Sequence, residues 1–430
     1  MDASAGGALG LYLSVPFCRS KCTYCNFASG VYPASEHARY VDRLIEDMRA
    51  AGKWAALMGV ALPRRVDTVY LGGGTPSLLA PELLERLFAA MRTHFDFDPD
   101  AEITVECAPG QLADETLAAL VACGVNRVSL GVQSFIDREA ASSGRLHNRA
   151  IVLADVMRLR AARICNLSVD LIAGLPGQTF ASWQESLIVM AALADAGVPH
   201  ASVYMLEVDE DSRLGREMLA HGVRYHADLV PTDDAIAQMY SIAIEALHQA
   251  GLEQYEISNF CRAGFHSRHN LRYWQRRPYL GLGLDASSML LSDRKESVLR
   301  STTTDDLKVY LAGAEPAETT WLTRAQQHEE AWFLGLRLNA GVDVAAMERE
   351  FGSALLAPAL EAVARFEENG LLVFDGRTVR LTARGQLLSN EVFQEFLGLD
   401  DYLKRGAISV GQRAASRSQA ASSGSTVTSR

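Results

Sequence analysis

GLYLSVPFCRSKCTYCNF, residues 10–27, joins a strand-like run, Gly10 to Val15, to three thiols, Cys18, Cys22 and Cys25, spaced C-x3-C-x2-C. A structural zinc ion wants four protein ligands and a disulfide framework an even set of cysteines, whereas three thiolates on a cubane iron–sulfur cluster leave one iron open. An open iron can take another ligand, so the loop reads as a place for chemistry. A labile zinc site completed by a distant cysteine or histidine is the alternative that the spacing leaves standing. Phe17, Tyr24 and Phe27 interleave the cysteines and offer the apolar cover that a cluster needs against water and oxidants. Arg19 and Lys21 would favour the thiolate forms.

Outward from this loop, the pattern up to about residue 206 alternates short β-branched runs with longer segments of helical period, which predicts βα units and a parallel sheet. Six strands are predicted: Gly10–Val15, Val66–Leu71, Glu102–Glu106, Arg127–Val132, Leu167–Ile172 and Ala201–Leu206. No sequence repeat accompanies them, so the α/β fold class is that of one open or partial β/α barrel rather than a solenoid. The chain has 430 residues, 48% of them hydrophobic and 22% charged, enough for two or three domains. We divide it into a lead (1–9), the barrel (10–232), an extension packed on it (233–322), a small winged-helix-like domain (323–403) and a disordered tail (404–430). The winged-helix reading rests on helices at Ala331–Arg337, Met347–Phe351 and Leu355–Asn369, followed by a hairpin turning at Asp375-Gly376. Residues 53–64 read as a modest insertion before the second strand.

The net charge of -11 argues against a phosphate-binding nucleic-acid surface. The first residues, MDASAGGALGLYLSV, carry neither a basic nor a long apolar segment, and no run of about 18 uncharged apolar residues predicts a bilayer span. A cytoplasmic location is expected. Seven cysteines suit a reducing compartment, with Cys107, Cys123, Cys165 and Cys261 read as small buried hydrophobes.

After the second strand comes Gly72-Gly73-Gly74-Thr75-Pro76-Ser77, a turn that lacks both the G-x-G-x-x-G register and the lysine of a phosphate loop. Beside the cysteine loop, such a turn can bring backbone amides close to a small ligand on the open iron. Glu106, Gln133, Asp170 and Tyr204 fall at the ends of later strands. In a parallel barrel these ends open onto one face, so their side chains are expected to converge on the cysteines.

C-x3-C-x2-C, GGGTPS, the Glu of TVECAPG, LGVQSF, GRLH at 144–147 and DLIAGLPGQT together resemble the radical S-adenosylmethionine superfamily, in its coproporphyrinogen III oxidase-like (HemN/HemW) family, over roughly residues 10 to 400. The resemblance implies a partial (β/α)6 barrel and a 4Fe-4S cluster on Cys18, Cys22 and Cys25, whose open iron is chelated by the methionyl amine and carboxylate of S-adenosylmethionine. It further implies that Tyr12 borders that cofactor, that Gly73, Gly74 and Thr75 form a shelf for its amino group, and that Glu106 accepts from the amine. Arg145 would pair with its carboxylate, while Gln133 and Asp170 would hold the ribose hydroxyls. An ammonium wants a carboxylate, a carboxylate a guanidinium and a diol acceptors.

Two functions occur in this family: oxidative decarboxylation of coproporphyrinogen III, and heme chaperoning. The oxidase pattern continues with a fourth cysteine two residues after the third, where this chain has Phe27. His269-Asn270-Leu271-Arg272-Tyr273-Trp274 matches an HNxxYW motif that the chaperone subgroup is associated with for heme, which makes His269 a candidate heme ligand. Ser287 stands where that subgroup often has a histidine. Phe27 and HNLRYW favour the heme chaperone, from whose pattern Ser287 departs, with heme-acceptor proteins and an electron donor as partners, a homodimer as a further expectation, and the oxidase as the alternative. Reductive cleavage of S-adenosylmethionine is within the reach of either.

Overall fold

The computed structural model describes residues 7–294, 296–313 and 318–398, so the expected tail at 404–430 and most of the lead lie outside the described residues. Two compact units meet in the chain between residues 321 and 322.

In the first unit, β1 (Leu9–Val15), β2 (Arg65–Gly73), β3 (Asp96–Cys107), β4 (Arg127–Gln133), β5 (Asn166–Ala173) and β6 (His200–Met205) each pair in parallel with the next. Long helices, among them Ala34–Met58, Pro81–His94 and Phe180–Asp195, fill the crossovers. The six strands fall where the β-branched runs predict them, except that β3 starts at Asp96 rather than Glu102. Lys53 belongs to the 25-residue helix Ala34–Met58, which Gly59 ends at φ 66. The stretch read as an insertion is therefore half helix.

The extension lengthens the barrel's sheet as well as packing beside it. Its strands β7 (Glu253–Glu256), β8 (Asn259–Cys261), β9 (Tyr279–Gly283), β10 (Ser287–Leu291), β11 (Val298–Thr302) and β12 (Glu318–Leu322) give the order β12-β11-β10-β9-β1-β2-β3-β4-β5-β6-β8-β7. β9 runs parallel to β1, and β8 antiparallel to β6.

Strand alternation sorts the side chains into two faces. One carries Leu11, Leu13, Val69, Leu71, Val105, Leu130, Val169 and Val203, all fully buried. The other is polar and rises in layers, because Thr68 is level with Glu102, Tyr12 with Tyr70, and Tyr70 with Thr104. Thr68 and Glu102 form a floor, Tyr12 and Tyr70 a middle layer, and Gly72 and Glu106 the top. The short helix Arg268–Trp274 closes the floor: the Glu102 carboxylate accepts from the Arg268 and His269 N–H groups at 3.1 and 3.0 Å, where a helix N-terminus favours negative charge. Arg272, wholly buried, donates to Thr68 Oγ1 at 3.2 Å, to the carbonyls of Ala8 and Pro278, and to Asp67, which Arg277 also engages at 2.8 Å.

The second unit has helices Arg324–Leu336, Val344–Phe351 and Ser353–Glu368 and a hairpin of Leu372–Phe374 with Thr378–Leu381, which Val342–Asp343 joins as a third strand. Asp375 accepts from the N–H groups of Arg377 and Thr378, and Gly376 takes φ 86, so the turn forms at the expected dipeptide. Trp332 stacks on Phe396 at 5.0 Å in its core.

Candidate functional site

At the carboxyl ends of the strands lies a cavity of about 300 Å³, lined by Cys18, Cys22 and Cys25, by Gly73, Gly74 and Thr75, and by Glu106, Gln133, Arg145 and Asp170. Ten residues drawn from six separate segments thus share one wall, with Tyr204 beside them. The cysteine loop is fixed to the glycine turn by Gly74 N–H donating to Val15 O and Thr75 N–H to Phe17 O, both at 2.8 Å. A Cβ at Gly74 would stand 2.8 Å from those two carbonyl oxygens, so the close approach requires glycine. Lys21 donates to the carbonyls of Phe27 and Ser29, each at 2.9 Å, and so clamps the loop from within. On the far side, Thr23 N–H donates to Ser143 O, and Arg145 Nη2 to the Tyr24 hydroxyl at 3.0 Å.

Gln133 reaches the cavity through a register shift in β4 and a left-handed backbone, φ 69. Such a bulge re-aims a side chain at a local conformational cost. Glu106 accepts from the Tyr70 hydroxyl at 2.9 Å. Enclosure in the barrel, reinforced by Asp170, raises its pKa to about 7, against the lowering effect of Tyr70, the Gly73 N–H and Arg145. Asp170 accepts from Ser129 Oγ at 2.9 Å and Ser168 Oγ at 3.1 Å, and burial raises it as well.

Two expected residues do not line the cavity. Tyr12 lies in the middle layer, its ring 6.1 Å from that of Tyr70 and 6.4 Å from that of His269. His269 lies in the floor at 0% exposure, with Nδ1 3.0 Å from Thr68 Oγ1 and Nε2 2.9 Å from the Tyr273 hydroxyl. Burial, then Arg272 and Arg127, lowers its pKa to about 3, so it is neutral, and neither ring nitrogen is open to an iron as folded.

A family model for the radical SAM superfamily matches residues 12–190, and one for the HemN C-terminal domain matches residues 322–388. A heme chaperone HemW of Lactococcus lactis is 34% identical over 394 residues, covering 91% of this chain and 97% of that protein. The heme chaperone HemW of Mycobacterium tuberculosis is 36% identical over 398 residues, 91% of this chain and 96% of that one. The solved structure of coproporphyrinogen III oxidase (HemN) from Escherichia coli superposes with a TM-score of 0.75 at 23% identity, over 91% of this chain and 90% of that one. The chain belongs to the HemN/HemW family of radical S-adenosylmethionine proteins.

In this radical S-adenosylmethionine protein the cavity fits what the family carries. Gln133 Oε1 and Arg145 Nε are buried without a hydrogen-bond partner, and buried polar atoms ordinarily have one. Glu106 is a buried carboxylate whose pKa enclosure raises to about 7. An amino acid head group would satisfy the glutamate and the arginine together, and a ribose would meet Gln133. Among the described residues no three His, Cys, Asp or Glu side chains gather closely enough to hold a single metal ion; the three thiols share the cavity wall without forming such a group. Cys107, read from its pattern as an inert core thiol, is buried but also borders the cavity. Tyr70 and Ser129 carry site geometry that sequence reasoning missed. The signal was there: Tyr70 and Gly72 share a face of β2, and Ser129, Gly131 and Gln133 are spaced by two in β4. All seven cysteines are free, Cys165 is exposed rather than buried as its pattern suggests, and no helix among the described residues is long and apolar enough to cross a membrane.

Proposed function

We propose that this protein is a heme chaperone that binds a 4Fe-4S cluster on Cys18, Cys22 and Cys25, holds S-adenosylmethionine in the cavity beside it, and passes heme to acceptor proteins. Gly73, Gly74, Thr75 and Glu106 would hold the amino group, Arg145 the carboxylate, and Gln133 and Asp170 the ribose. The bound cluster and S-adenosylmethionine would supply one-electron reductive chemistry. The chain's own part is then to seat the two, with the Glu106 carboxylate accepting from the amino N–H groups and the Phe17 side of the loop excluding water.

The observation that favours heme handling over porphyrin decarboxylation is Phe27. It is 60% exposed and borders the cavity where the oxidase pattern has a cysteine, so it offers apolar surface to a porphyrin in place of a thiol. The relatives named heme chaperones, similar over nine-tenths of the chain, support the same reading. With it come an electron donor, a cytoplasmic site of action and a homodimer as the next properties to measure. Two assays on anaerobically reconstituted protein test the proposal: heme titration, and turnover of coproporphyrinogen III with a reductant and S-adenosylmethionine. Stoichiometric heme binding without turnover supports it. Turnover without heme binding would replace it with the oxidase.

A further inference from the structure

The HNLRYW segment is the one motif that the cavity does not absorb. Its histidine sits at the level of Thr68 and Glu102, four residues below Glu106 on β3, or roughly 13 Å along the strand. Every polar atom it presents is used within the barrel: both ring nitrogens by Thr68 and Tyr273, and its N–H by Glu102. Above it, the imidazole ring lies 5.3 Å from the ring of Tyr70, tilted by 31°. Tyr70 carries the contact upward, since its hydroxyl donates to Glu106 at 2.9 Å. Tyr12 fills the remaining side of this middle layer, against both Tyr70 and His269. Tyr273, held by His269 Nε2, packs edge-on against Tyr279 of β9 at 4.6 Å and ties the stack to the extension.

We infer that His269 is a positioning residue for the S-adenosylmethionine site, acting through Tyr70 on Glu106, and not a heme ligand. The inference rests on the proposed function only for the identity of the two ligands. To meet a heme iron, His269 would have to give up its contact with Thr68 or with Tyr273 and leave a site where it has 0% exposure. A lever on Glu106 needs no rearrangement, because the contact is already made. Glu106 faces Tyr12, Tyr70, Tyr204, Tyr273, Cys107, Asp170 and Arg145, and of these side chains Tyr70 alone both hydrogen-bonds it and lies against the His269 ring.

The test uses the full chain, reconstituted anaerobically, as wild type, His269→Gln and Tyr70→Phe. Three quantities are read: the heme dissociation constant from the Soret band, the S-adenosylmethionine dissociation constant from pH 6 to 8 by equilibrium dialysis, and Tm. His269→Gln should bind heme within about twofold of wild type, while its S-adenosylmethionine affinity falls at least fivefold and the pH midpoint of that binding moves. Tyr70→Phe, which removes one hydroxyl and keeps the ring, should reproduce the affinity loss and the midpoint shift with Tm little changed. A tenfold or greater loss of heme affinity in folded His269→Gln, with S-adenosylmethionine binding untouched, would overturn the inference. If wild type binds no heme, the chaperone reading fails alone, and the inference stands or falls on the S-adenosylmethionine profiles. Should His269→Gln not fold, unchanged binding in Tyr70→Phe is the overturning result.

Discussion

Glu106 is the residue whose charge the barrel interior controls most directly. Its pKa of about 7 stands above the ordinary carboxylate range, chiefly through enclosure. A group whose folded pKa is raised in this way lowers stability as pH climbs from the ordinary range through about 7, because the unfolded chain ionises first. A ligand amino group that donates to the carboxylate favours its ionised form and offsets that cost. S-adenosylmethionine binding should therefore tighten as pH rises from 6 to 8, by up to about tenfold per unit below the midpoint. Glu106→Gln should abolish the dependence and weaken binding by roughly 10- to 100-fold, the worth of a charge-assisted hydrogen bond. Calorimetric titration across that range decides it, and a flat wild-type profile would sink the assignment. Gly74→Ala makes a second prediction at this scale. Its Cβ would meet backbone rather than a flexible side chain, so the cysteine loop must shift, at a cost of about 1–3 kcal/mol. Lower Tm and less iron per chain after reconstitution are the expected readouts.

Among the elements, the floor helix Arg268–Trp274 depends on one buried ion pair. Asp67 balances Arg272, which has 0% side-chain exposure, and Arg277. Asp67→Ala would leave a buried guanidinium unpaired, a loss of about 3–5 kcal/mol, visible as a large drop in the urea midpoint. Gly10 faces the same arginine, and a Cβ there would lie 2.5 Å from Arg272 Cδ and Nε, which explains the glycine at the register shift between Leu9 and Gly10. The long helix Ala34–Met58 allows the opposite change. Gly52 lies exposed within it, with nothing within 4 Å of an added Cβ. Gly52→Ala should thus stabilise the protein by about 0.5–1 kcal/mol, and an unchanged or lower Tm would contradict the reading of that segment as free helix surface.

For the whole molecule, the buried imidazoles set the acid limit. His147 is lowered to about 4 and His269 to about 3, and His200 is well below its ordinary value, burial being the main cause in each. The unfolded chain protonates these rings near pH 6.5 while the folded one does not, so stability is full above that pH and falls as pH drops toward 4 and 3. Urea midpoints should decline steadily from pH 6.5 to 4.5, and His269→Gln should lessen the slope by one proton's worth. A slope that does not change would mean that His269 is already charged, and hence not enclosed as described.

Sequence spacing by itself determined the strands, the cysteine loop, the glycine turn and the set of strand-end residues, since period-two alternation and parallel pairing leave such side chains no other face. The resemblance to the family, not the spacing, added the contrast with the oxidase pattern at Phe27, a matter of one residue's identity. Only the tertiary structure decided what each polar group does. His269 meets Thr68 across 201 residues of chain and Glu102 across 167, and no local pattern reports a partner that distant. HNLRYW thus read as a ligand motif and folds as a floor, Lys21 read as an electrostatic aid to the thiolates and folds as a loop clamp, and Glu106 read as an ordinary acceptor and is held near neutrality. The physical reason is common to all three: spacing fixes which way a side chain points, whereas burial, charge and hydrogen-bond satisfaction depend on what the rest of the chain brings to meet it.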